Sequence, residues 1–143
     1  MKQEHFSKLE NMYLSGRCND TYQPSIQVEK GLATIQFDVQ ESFFHAAGAV
    51  HGSIYFKALD DAAYFAANSM ETSYFVVTSS FTTYFLRPVS QGYLKAIGRV
   101  VNRSKTQIIA ESIVYDSRGK EVARGSGTFV RSATALSSEI GYC

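Results

Sequence analysis

The stretch from His51 to Met70 constrains the fold of this chain more than any other. Ala58, Leu59, Ala62, Ala63, Ala66 and Ala67 supply helix propensity, and Ile54, Tyr55, Phe56, Tyr64 and Phe65 add apolar bulk on several faces. A surface helix keeps one polar face, so a helix that is apolar nearly all round is a buried one. A helix of this length spans about 30 Å, roughly the width of a small domain.

The remaining signals are mostly those of strands. Residues 31–38, GLATIQFD, alternate Leu32, Thr34 and Gln36 against Ala33, Ile35 and Phe37. After Ser73, YFVVTSSFTTYFLR is rich in aromatic and β-branched residues and stops at Pro88. GYLKAIGRVV and QIIAESIVYD are joined by NRSKT, DSRG makes a second tight link, and EVARGSGTFV is the last strand. Short links favour antiparallel pairing, because a parallel pair needs a long crossover. An antiparallel sheet with an apolar face needs a cover, and the 51–70 helix is the long apolar element available. The expected fold is therefore α+β, an antiparallel β-sheet curled around one long central helix.

Length and hydrophobic content, 143 residues and 45%, suit one core. Phe6, Leu9, Met12, Tyr13 and Leu14 recur at helical spacing before the GRCND breaker, so residues 1–30 read as an N-terminal helix and linker. Residues 31–131 form the domain. The tail, 132–143, lacks a clear period and is expected to be partly disordered. A net charge of +1 offers no field for nucleic acid, and no stretch is apolar enough for membrane insertion or for a secretory leader. The expected setting is cytoplasmic. Cys18 and Cys143 make neither a disulfide framework nor a metal set, and His45 with His51 lacks a third ligand for zinc, so no metal and no cofactor are expected.

Chemistry concentrates where the apolar helix is broken by Asp60-Asp61. Adjacent helical residues point about 100° apart, so at least one of the two leaves the core for a cleft, a subunit boundary or solvent. Upstream, His45-Ala-Ala-Gly48-Ala-Val-His51-Gly52-Ser53 is rich in small residues and ends where the helix begins. Unpaired N–H groups of a first helical turn support negative charge developing on an acyl oxygen. Gly52 leaves space for that oxygen, a carboxylate two turns further on can attack or activate water, and His45 can donate to the carbonyl or orient a substrate.

Three motifs carry a family resemblance: His51-Gly52-Ser53 with Asp60 and Ala62, then TSSFTTYFLRPV, then GKEVARGSGTF. In this order they resemble the hotdog-fold acyl-coenzyme A thioesterases of the phenylacetate-pathway type, over about residues 31–131. The resemblance implies hydrolysis of an acyl-coenzyme A thioester, with Asp60 as nucleophile or general base and the Gly52 N–H polarising the carbonyl. It places His45 near that carbonyl and Thr78 where a hydroxyl positions water or the carboxylate, with Ser79 as the alternative one residue on. His51 is read as an organiser of the helix start. Ser53 stands where the family usually has glycine, and Asp61 where threonine or asparagine is common. The resemblance also implies a homo-oligomer, a dimer or a dimer of dimers, with Thr78 serving the partner's Asp60. Arg103, Lys105 and Arg118 are the cations chosen for coenzyme A. A hotdog hydratase or dehydratase and a noncatalytic acyl-thioester binding protein are the alternatives.

Overall fold

The computed structural model describes residues 2–143, and Met1, at the start of the 1–30 segment, lies outside the described residues. Helix α1 (Lys2–Ser15) leads through a 3-10 turn into β1 (Ser25–Glu29) and β2 (Leu32–Asp38). A loop then enters α2 (Gly52–Asn68), which is followed by β3 (Tyr74–Phe85), β4 (Tyr93–Arg103), β5 (Ile108–Asp116) and β6 (Glu121–Ala135).

The six strands form one antiparallel sheet in the order β1-β2-β4-β5-β6-β3. This corrects the expected curl. The sheet is open, with β1 and β3 at its two edges and no pairing between them, and it does not wrap α2. The helix is covered by close approach. Ala58, Leu59, Ala62, Ala63, Ala66 and Ala67 are each 1% exposed or less, and small side chains let α2 lie against one face of the sheet. Gly98 of β4 marks the tightest point, since a Cβ there would stand 2.3 Å from the backbone C and O of Ala62.

β1 escaped the sequence reading because it is short and mostly polar, with Val28 its one fully buried residue. It is held by the turn at Gly31, whose φ of +69° suits glycine, and by Glu10 of α1, which accepts from the Val28 N–H at 2.8 Å. The tail is not disordered as expected. β6 runs on to Ala135, Ser132 donates to the Phe75 carbonyl, and Tyr142 folds back on α1. There the buried His5 contacts the Tyr142 hydroxyl at 2.7 Å and the Asn68 carbonyl at 3.0 Å, joining α1, the tail and the end of α2.

Asn68 closes α2. Its amide donates to the carbonyls of Glu71 and Tyr74, and its oxygen accepts from the Val76 N–H, so a fully buried polar side chain is satisfied. No helix among the described residues is long and apolar enough to cross a membrane.

Candidate active site

The loop before α2 is folded on itself by local bonds. The Gly48 N–H donates to the His45 carbonyl, the His45 N–H donates to the Ala49 carbonyl, and Gly48 takes a φ of +80°. His45 is exposed, and its Nδ1 accepts from the Ala47 N–H at 3.0 Å. In the neutral ring this leaves the proton on Nε2, free to donate outward. His51 caps α2: its backbone is extended and its Nδ1 accepts from the Ser53 N–H at 3.0 Å, with Ser53 Oγ 2.8 Å away. Ser53 is thus engaged with the cap.

Gly52 is the first residue of α2, and its N–H has no hydrogen-bond partner among the described residues. A Cβ at this position would stand 3.1 Å from the Phe85 ring. His45, Gly52, Phe85 and the Leu86-Arg87-Pro88 segment line an open cleft of about 370 Å³. Its lining residues thus include the Gly52 N–H and the His45 ring, donor types that can support an oxygen carrying developing charge.

Asp60 lies eight residues further along α2, about 12 Å away at the rise of a helix, and does not line that cleft. Its Oδ1 accepts from Thr78 Oγ1 of the same chain at 2.9 Å, so Thr78 is spent on its own chain's carboxylate. Burial pushes the Asp60 pKa up, as does the nearby charge of Asp61. The Thr78 hydroxyl and Lys57 act the other way and do not cancel the rise. Phe56 and Tyr64, one turn to either side, make the neighbourhood aromatic, and Tyr64 is anchored by donating to the Val76 carbonyl.

Asp61 points elsewhere. It accepts from the Tyr13 hydroxyl and from Lys57 Nζ, both at 2.8 Å, and so ties α2 to α1. Burial and the Asp61 charge push the Tyr13 hydroxyl pKa far up, which keeps it a donor. The sequence reading missed Tyr13 and Lys57, although the Lys57–Asp61 spacing is that of a helical ion pair. Ser79 falls at the register shift between Thr78 and Ser80, and its hydroxyl donates to the Thr128 carbonyl.

The three cations chosen for coenzyme A are not together. Arg103 and Lys105 belong to the β4–β5 link, whereas Arg118 sits in the β5–β6 link, at the other end of β5. Nine residues of strand separate those ends, a distance of about 27 Å. Among the described residues no three His, Cys, Asp or Glu side chains gather as metal donors.

The sequence profile described as the thioesterase superfamily matches residues 47–123, more than half of the chain, including the helix start, Asp60 and Thr78. The chain belongs to the thioesterase superfamily. Two Saccharolobus solfataricus proteins described as candidate esterases are similar to it. One is 30% identical over 104 residues, covering 73% of this chain and 74% of its own. The other is 28% identical over 117 residues, 78% of each. Among solved structures, the E. coli PaaI protein from the phenylacetic acid degradation operon superposes with a TM-score of 0.86 at 22% identity, covering 95% of this chain and 99% of its own. A mutant of the phenylacetic acid degradation protein PaaI from Thermus thermophilus gives 0.75 at 22% identity, over 82% and 100%. At such identities the likeness is one of fold. The resemblance read from the three motifs therefore holds at the level of the superfamily.

Proposed function

We propose that this chain hydrolyses an acyl-coenzyme A thioester to a free acid and coenzyme A, in the cytoplasm, at a site that two copies complete. The observation that carries the reading is Asp60: a half-buried carboxylate with a raised pKa, held by Thr78 on a helix whose first N–H is unpartnered. Superfamily membership supports thioester chemistry at such a site.

One chain cannot bring Asp60 and Gly52 to the same carbonyl across about 12 Å of helix. A second copy removes the difficulty. β3 is a sheet edge of 12 residues, and an unpaired edge is a template for another strand. Thr78 marks the place of Asp60 along β3, and Phe85 marks that of Gly52. Antiparallel pairing of β3 with its own copy, Thr78 opposite the other copy's Phe85, sets the Asp60 of each chain toward the Gly52 of the other. The exposed Phe56, Val77, Tyr84 and Phe85 supply the apolar surface of such a contact.

In this site the Gly52 N–H and the His45 ring donate to the thioester oxygen. Asp60 either takes a proton from attacking water or itself attacks to form an anhydride that water then opens; in both routes the thiolate of coenzyme A leaves and is protonated. Thr78 holds the carboxylate in place.

The test is thiol release from short, long and aromatic acyl-coenzyme A compounds, with wild type beside a folded Asp60→Asn variant. The expected loss is at least about a hundredfold. Absence of release from every member overturns hydrolysis in favour of noncatalytic binding, and equal rates in the two proteins reject Asp60.

A further inference from the structure

Asp60 and Asp61 put two carboxylates side by side on a helix that is otherwise mostly apolar, and the fold treats them differently. Asp60 meets a neutral donor, the Thr78 hydroxyl of β3, at 2.9 Å. Asp61 meets a cation. Lys57, one turn earlier on α2, places its Nζ 2.8 Å from Asp61 Oδ2, and the Tyr13 hydroxyl of α1 donates to the same oxygen at 2.8 Å.

Lys57 is itself caged. Its Nζ lies 5.7 Å from the centre of the Tyr13 ring and 5.1 Å from that of Tyr22, in the turn after α1. Tyr22 stacks on Phe43 and packs edge-on against Phe37, which ties the cage to β2 and to the loop that enters α2. The Lys57 and Asp61 side chains are only 20% and 17% exposed. An ion pair shielded in this way acts on its neighbours more strongly than a surface pair does, and salt screens it less.

Charge on Asp61 disfavours charge on Asp60 beside it, and the Lys57 ammonium favours it. Bonded to each other, the two oppose in their effect on Asp60, the carboxylate's being the larger. Facing this stretch from the neighbouring elements are the hydroxyl groups of Thr78 on β3, Tyr13 on α1 and Tyr22 in the following turn, all uncharged near neutrality, with the exposed Cys18 thiol beside the two tyrosines. On α2 itself the Tyr64 hydroxyl donates to the Val76 carbonyl.

We propose that Lys57 is a positioning residue of the candidate active site, with Tyr13 as its support: it ties the second carboxylate to the α1 side of the helix and balances its charge, leaving Asp60 as the carboxylate that works on the substrate. The inference rests on the thioesterase reading and deepens it. It brings α1, which lies outside the residues that the superfamily profile matches, into the electrostatics of the site.

The experiment compares wild type with K57Q, D61N, the double variant K57Q/D61N and K57R. The ¹³C resonance of the Asp60 carboxyl, identified by its loss in D60N, is followed with pH, and kcat/KM for an acyl-coenzyme A thioester is measured over the same range. Without the ammonium Asp61 is unbalanced, so Asp60 titrates at higher pH in K57Q; without Asp61 the opposing charge is gone, so Asp60 titrates at lower pH in D61N. On the acid limb kcat/KM falls about threefold in K57Q and rises about threefold in D61N. The double variant lies between the two, and K57R, which keeps the cation, stays with wild type. D61N conserves the side-chain shape and carries the test if K57Q fails to fold. A pair that only clamps α1 onto α2 lowers Tm in both single variants and leaves the Asp60 resonance where it was. That result overturns the proposal, as does movement of K57Q and D61N in the same direction. If the resonance moves in opposite directions while wild type turns over no acyl thioester, the charge balance around Asp60 stands and the thioesterase reading fails.

Discussion

Thr78 Oγ1 donates to Asp60 Oδ1 at 2.9 Å, tying the middle of the buried helix to the edge strand β3. The bond favours the ionised carboxylate, against a burial that disfavours it. Replacing Thr78 with valine keeps the shape and removes the donor. The Asp60 pKa then rises further, so the acid limb of the kcat/KM profile moves to higher pH and the plateau falls about tenfold. A limb that stays put means that another group titrates there.

A carboxylate with a raised folded pKa destabilises the fold when it ionises. Unfolded aspartate ionises near about pH 3.9, and folded Asp60 ionises above that. Within that window the folded state holds more protons, so stability drops as pH rises through it and the deficit persists above. Asp60→Asn is expected to unfold at a higher temperature than wild type at neutral pH, with the gain vanishing below about pH 3.9. Thermal unfolding of both proteins across that range checks the sign.

Complementation tests the proposed sharing of the site directly. Asp60→Asn and Gly52→Val should each abolish turnover alone, the second because valine crowds the Phe85 ring. Mixed and reassorted, the two form a hybrid in which one site has both an intact Asp60 and an intact Gly52. Random exchange returns about a quarter of wild-type activity. A mixture that stays inactive argues for sites contained in one chain.

Gly98→Ala probes the contact that seats the helix. The added methyl would meet the Ala62 backbone at 2.3 Å, and backbone cannot swing aside as a side chain can. The expected cost is about 1–3 kcal/mol, seen as a Tm lowered by roughly 5–10 °C. An unchanged Tm would show that α2 shifts freely on the sheet.

Local chemistry made much of the fold legible. The alanine-rich helix, the alternation of β2 and the tight turn at Gly119 all follow from short-range rules. β1 did not show, because an edge strand with one buried residue has almost no period. Nor did the open sheet, since strand order and edges depend on contacts between residues far apart in the chain. The same division runs through the site. Asp60 and Asp61 look alike in sequence and diverge only because α1 returns Tyr13 to one of them while β3 brings Thr78 to the other.

The two edges of the sheet are unequal, five residues at β1 and twelve at β3. When a strand pairs with its own copy about a two-fold axis, each copy uses up the other's template. What remains outward on such a pair is β1 at both ends, too short and too polar to recruit a third sheet. In a pair of that kind, growth by strand addition stops at two, and the long edge that could have seeded a fibre is the part of the pair least able to do so.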